Sequence, residues 1–80
     1  QLLQDFDLNE KLDLWLDQLN DKQRIVMKRR FGLGGQEKAT LEQVGNEIGV
    51  TRERVRQIQI DALRRLRKIL EIEGFSRDFL

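Results

Sequence analysis

Apolar residues along this chain recur at three- and four-residue intervals, and no run alternates as a half-buried strand would. Leu8, Leu12, Trp15, Leu16 and Leu19 form one such stripe, with Asn9 and Glu10 ahead of it as start signals. A second helix is predicted after Asn20, a good N-cap, with Asp21 in its first turn and Ile25, Val26, Met27 and Phe31 along it. Gly32 is its natural stop, because glycine enters the left-handed cap conformation without a steric penalty. The stretch "GLGGQEKA" reads as a loop.

A third, short helix is predicted from Thr40, where T-L-E-Q has the spacing of a capping box between Thr40 and Gln43. It carries Leu41, Val44 and Ile48 and stops at Gly49. Thr51 caps a fourth and longest helix, expected to run to about Leu70 or a turn beyond, and "GFSRDFL" after Glu73 reads as a turn with a short last element. Proline is absent and no internal repeat is visible. The expected fold is all-α, four to five helices in one domain spanning residues 1–80.

Within this frame, "LEQVGNEIGVTRERVRQIQ" fits the helix-turn-helix pattern, placed at about residues 40–70. Gly45 falls where the two helices should approach too closely for a side chain, and Gly49 supplies the turn. Val44, Ile48, Val50, Val55 and Ile58 fall where the motif needs apolar contacts. The plain alternative is an ordinary αα-hairpin. The pattern resembles a winged-helix DNA-binding domain without the wing.

Charge sharpens the picture. The total is only +1, but residues 1–23 hold six acids against Lys11 and Lys22, whereas residues 51–70 hold seven bases against Glu53 and Asp61. An acidic half joined to a basic half suggests a nucleic-acid face on the second. At about 100° per residue, Val55, Ile58, Ala62, Leu66 and Ile69 fall on one narrow face of the fourth helix. Glu53, Arg54, Gln57, Asp61, Arg64 and Lys68 fall opposite, with Arg52 and Arg56 on a flank. Arginine grips guanine O6 and N7 with two hydrogen bonds, glutamine reads adenine, and glutamate accepts from the cytosine amine. For Glu53 the competing explanation is a first-turn acid that favours the helix dipole, and the two are compatible. Arg64, Arg65, Arg67 and Lys68 read as phosphate or protein contacts, or simply as solvated charge.

Other chemistries find little support. With no histidine or cysteine, there is no nucleophile-and-base set, no thiolate metal site and no disulfide, so neither catalysis nor a metal or cofactor is expected. "GLGG" lacks the Gly-Lys-Ser/Thr of a phosphate loop, and "DLNEK" lacks the glycine and terminal glutamate of a calcium loop. No segment resembles a signal peptide or membrane span, which points to the cytoplasm. Met27 is the only methionine, so the chain reads as a piece of a longer protein or one that has lost its initiator.

"LNDKQRIVMKRRFGLGG" followed by "LEQVGNEIGVTRERVRQIQIDALRRLRKIL" closely resembles the C-terminal promoter-binding domain, region four, of primary-type bacterial sigma factors. The resemblance covers roughly Leu12 to Leu70. It implies that the helix-turn-helix binds the −35 promoter element in the major groove of duplex DNA. Base contacts carry over onto Arg52, Glu53, Arg54 and Gln57. Arg56, Thr51 and the helix start at Leu41 would hold the backbone, with Lys68 further along. The first two helices, through Trp15, Leu16, Leu19, Ile25, Val26 and Phe31, would form a pocket for the flap-tip helix of the RNA polymerase β subunit, although plain core explains the same residues. Arg64 and Arg67 would meet protein partners such as an activator or an anti-sigma factor.

Two departures from the housekeeping member point to the stationary-phase, stress-type factor: Asp61 in place of a lysine, and "KILEIEGF" in place of a proline-containing break. The rival reading is the output domain of a free-standing regulator, which would dimerise on a palindromic site. A sigma fragment would be a monomer on a single non-palindromic site. A third reading is a pure interaction module whose basic helix binds an acidic protein.

Overall fold

The computed structural model describes residues 10–74, and among them it has four helices and no strand. The first, α1, covers residues 10–16. It is followed by α2 (Asp21–Phe31), α3 (Leu41–Ile48) and α4 (Arg52–Ile72). Leu8, Asn9 and the tail from residue 75 onward lie outside the described residues.

The starts of α2, α3 and α4 are fixed by side chains that satisfy otherwise orphaned backbone donors. Asn20 Oδ1 accepts from the Gln23 N–H at 2.8 Å, and Gln23 Oε1 accepts from the Asn20 N–H at 3.1 Å. Thr40 and Gln43 make the same reciprocal pair at 3.1 and 2.9 Å. Thr51 Oγ1 accepts from the Arg54 N–H at 3.1 Å. The stops are equally local. Gly32 and Gly49 close α2 and α3 in the left-handed conformation, at φ 66° and 75°.

One expectation needs correction at α1. Leu19 was expected on the same helix as Trp15 and Leu16, but the helix ends at residue 16. Tight turns follow, in which the Gln18 and Leu19 N–H groups donate to Trp15 and Leu16 carbonyls. The turns nevertheless deliver Leu19 to the core, where it is 4% exposed.

Two apolar clusters organise the molecule, and α2 is wedged between them. Its consecutive residues Val26 and Met27 point into different clusters. Val26 joins Ala39, Val44, Val55 and Ile58, which pack the helix-turn-helix together. Met27 joins Trp15, Leu16, Leu19, Ala62, Leu66, Ile69 and Leu70, which fasten α1 and α2 to the second half of α4. The five apolar residues expected on one face of α4 are all buried, and Leu70 joins them. A single rigid rod therefore carries both halves of the fold: its first turns belong to the helix-turn-helix and its last turns to the support.

Gly45 sits flush against the turn that follows α3. A Cβ there would lie 2.6 Å from the Val50 carbonyl oxygen and 3.4 Å from the Thr51 carbonyl carbon. The expected crowding is present, but it comes from the backbone of the turn rather than from side chains of a crossing helix.

Candidate nucleic-acid interface

The first turns of α4 concentrate charge on a surface that the rest of the fold leaves open. Arg52, Glu53, Arg54, Arg56 and Gln57 are all exposed, and Thr51 anchors them from the N-cap. Val55, among them in sequence, and Ile58, directly after Gln57, are buried at 0% and 4% exposure. The helical period thus turns every polar residue of this segment outward by pinning the two apolar ones inward. Lys68, Arg64 and Arg67 are exposed further along the same helix. Leu41 is half-buried against the helix-turn-helix cluster at the start of α3, so it is the helix end rather than the side chain that is open there.

The charges in the first turns are not equivalent. Glu53 and Arg56, one turn apart, form an ion pair: Arg56 Nη2 donates to Glu53 Oε2 at 2.6 Å, and Nε donates to both carboxylate oxygens at 3.1 Å. That hydrogen bonding holds the Glu53 carboxyl below the usual glutamate range, opposed in part by desolvation and aided by the guanidinium charge, with smaller contributions from Gln57 and Arg52. The acid is therefore fully ionised at neutral pH. Among the described residues, Arg52 and Arg54 take part in no ion pair.

Helix starts border α4 on two sides. Asn20, Asp21, Lys22 and Gln23, at the start of α2, line a cleft with Arg54, Ile58 and Asp61. Thr40, Leu41 and Glu42, at the start of α3, line another with Arg30 and Arg52. Arg52 lies about 160° around the helix from Arg54, at 100° per residue. Helix starts attract anions, and Lys22 and Arg54 in the first cleft and Arg30 and Arg52 in the second add positive charge, set against Asp21 and Asp61 in the first and Glu42 in the second.

Two arginines at the end of α2 brace this surface, and the sequence reading did not single them out. Arg29 Nε and Nη2 donate to the two carboxylate oxygens of Glu47 on α3 at 3.0 and 2.8 Å, and Nη1 donates to the Glu37 carbonyl. Arg30 Nε donates to Gln59 Oε1 on α4, and Nη1 to the Ala39 carbonyl. Their only sequence signal is position: bases in a last helical turn have carbonyls within reach.

The residues expected to hold a protein partner divide. Trp15, Leu16, Leu19 and Val26 are core, none more than 4% exposed: the first three pack on the second half of α4, and Val26 packs within the helix-turn-helix cluster. They shape a surface from beneath rather than line it. Ile25 and Phe31, each 40% exposed, do reach solvent, and so does Leu14 at 63%, which the sequence reading passed over. Among the described residues, no helix is long and apolar enough to cross a membrane.

Comparison with known proteins places this arrangement. The chain is 57% identical over 76 residues to the RNA polymerase sigma factor RpoS of Coxiella burnetii (strain RSA 493 / Nine Mile phase I), covering 95% of this chain and 22% of that protein. It is 48% identical over 62 residues to the RNA polymerase sigma factor RpoD of Helicobacter pylori strain 26695, covering 76% of this chain and 9% of that protein. The RpoD of strain J99 matches to the same extent. The chain thus spans a small part of the length of these relatives. Residues 15–68, which take in the helix-turn-helix with its apolar cluster and most of α4, match the family described as Sigma-70, region 4, and the chain belongs to that family.

Proposed function

We propose that this chain is the duplex-reading module of a sigma factor, seating the first turns of α4 in the major groove of the −35 promoter element. The observation that carries this reading is the outward display of Arg52, Glu53, Arg54 and Gln57 from a capped helix start that is packed from behind by Val55 and Ile58. Arginine and glutamine are the side chains that read purine edges bidentately, and they stand on the part of a recognition helix that meets bases. The starts of α2 and α3, with Thr51 and Lys68, hold phosphates on the flanks and fix the register.

The second contact is with RNA polymerase. Ile25 and Phe31 are the apolar residues of α2 open to a partner, and they favour docking of the β flap-tip helix over the support half of the fold. Arg64 and Arg67 face outward on α4 beyond the groove-reading turns, where an activator or anti-sigma factor would meet them. The module acts as a monomer in the cytoplasm on a non-palindromic site. The higher identity to RpoS than to RpoD, and Asp61 in place of a lysine, support a stress-type factor.

Footprinting of the polymerase holoenzyme with this domain intact and deleted tests the reading. Deletion should remove protection centred on the −35 element while leaving downstream protection. Unchanged protection upstream would overturn it.

A further inference from the structure

A glutamate at the tip of a groove-reading helix presents an electrostatic problem. Its charge is repelled by the phosphates on both walls of the groove, yet a cytosine amine needs an acceptor. The structure shows how Glu53 is held: the Arg56 guanidinium grips its carboxylate through three contacts, at 2.6, 3.1 and 3.1 Å. Exposed ion pairs of this kind add little to stability, so folding alone gives the pair no strong purpose. Its side chains stay 66% and 48% exposed, open to a ligand rather than sealed in the fold.

We propose that Arg56 is a positioning residue for base reading: it neutralises Glu53 and holds its carboxylate as a pre-aimed acceptor for a base-edge amine. This rests on the duplex-reading function above and changes the part expected of Arg56, from holding the DNA backbone to aiming a neighbour. A carboxylate has about four acceptor sites. Arg56 makes two of its contacts to Oε2 and one to Oε1, so the grip leaves acceptor capacity on the carboxylate. Clamping a flexible glutamate before binding also spares the ordering cost at the interface. Residues three apart on a helix are neighbours, whereas Arg52 and Arg54 are adjacent in sequence to Glu53 and project elsewhere. The acid thus takes up Arg56 and leaves Arg52 and Arg54 for guanine and phosphate.

The test uses a duplex selected by the wild-type chain from a randomised pool, then substituted one base pair at a time, with a scrambled duplex as control. Binding is read by fluorescence anisotropy, and circular dichroism checks that each variant is folded. Glu53→Gln should lose about tenfold discrimination at one cytosine-guanine pair. Arg56→Lys keeps the charge but loses the forked grip, so it should lose discrimination at that same pair while holding the scrambled duplex normally. Arg56→Met should lose it too, and Glu53→Gln/Arg56→Met should discriminate there no worse than either single variant. Wild-type discrimination by Arg56→Lys would overturn the proposal. So would a uniform loss on every duplex for Arg56→Met, or single losses that multiply in the double variant. A wild-type chain that selects no sequence at all would overturn the duplex-reading function, and this inference with it.

Discussion

Arg30 donates through Nε to Gln59 Oε1 at 2.9 Å, tying the last turn of α2 to the middle of α4. The same guanidinium donates to the Ala39 carbonyl at 2.8 Å, just before the Thr40 cap of α3. One side chain therefore fixes three elements: the support helix, the entry to the helix-turn-helix and the helix that carries the reading residues. Its neighbour Arg29 does the same toward α3 through Glu47. The reading surface is held from its rear by these polar braces as well as by the apolar clusters.

Arg30→Met keeps most of the side-chain volume but leaves a part-buried carbonyl and a part-buried amide oxygen without their donor. The expected cost is about 1–3 kcal/mol, a large share of the stability of so small a domain. Urea unfolding followed by fluorescence of Trp15, itself 3% exposed, measures it directly. Lys11→Ala, on the exposed side of α1, should stay within about 0.5 kcal/mol of wild type. Equal midpoints for the two variants would mean that the Arg30 contacts do not brace the fold.

Two glycines separate steric from conformational demand. At Gly45 an added methyl would meet the Val50 carbonyl oxygen at 2.6 Å, and that oxygen belongs to backbone that cannot swing aside. At Gly49 an added methyl meets nothing within 4 Å, but the backbone sits at φ 75°. Gly45→Ala should destabilise by about 1–3 kcal/mol despite alanine's better helix propensity. Gly49→Ala should cost about 1–2 kcal/mol from the left-handed backbone alone. The two should differ in binding: Gly45→Ala pushes on the start of α4 and should weaken duplex affinity beyond its effect on the folded fraction, whereas Gly49→Ala should not. An unchanged melting temperature for Gly45→Ala would contradict the close approach.

The sequence carried most of the local structure, because caps and glycine stops act over a few residues. Thr40, Thr51, Gly32 and Gly49 each do what their chemistry requires, and the buried face of α4 follows from a period of 3.6 over 21 residues. The capping box at Asn20 was equally legible as Asn-x-x-Gln, although only the cap itself was expected. What spacing alone could not reveal depends on three-dimensional meeting. The Arg29–Glu47 pair spans 18 residues and the Arg30–Gln59 bond spans 29, and neither leaves a periodic trace. The stripe of α1 had the same limit. Its apolar spacing was correct, but whether Trp15 and Leu16 line a pocket or fill a core depends on how the turns at residues 17–19 fold back.

The Arg29–Glu47 pair gives a pH signature. Hydrogen bonding from Arg29 holds the Glu47 carboxyl below the usual glutamate range, opposed in part by desolvation and aided to a smaller extent by the Arg29 charge. A depressed folded-state pKa contributes stability that is complete above the unfolded value of about 4.3 and is lost as pH falls through the folded value. Glu47→Gln should therefore melt below wild type at pH 7. The gap should close as the pH falls beneath the glutamate range, where wild type is protonated as well. A gap of constant size from pH 7 to pH 2 would assign the effect to packing rather than to charge.

Arg54 and Lys68 lie on one helix and carry one charge each, yet they should fail differently. Arg54 stands in the first turns of α4, where a recognition helix meets base edges, and takes part in no ion pair among the described residues. Arg54→Ala should cost about 1–3 kcal/mol on the preferred duplex and much less on a scrambled one. Lys68 is exposed four turns further on, beyond the reading segment. If it meets phosphate, Lys68→Ala should weaken every duplex alike and lower the slope of log affinity against log salt by about 1. Anisotropy titrations of both variants on both duplexes at several salt concentrations separate the two effects, since specificity is the ratio between duplexes and the phosphate contribution is the slope common to them. Equal losses on both duplexes for Arg54→Ala would reduce the first turns of α4 to a basic surface, and an unchanged slope for Lys68→Ala would place that lysine outside the contact.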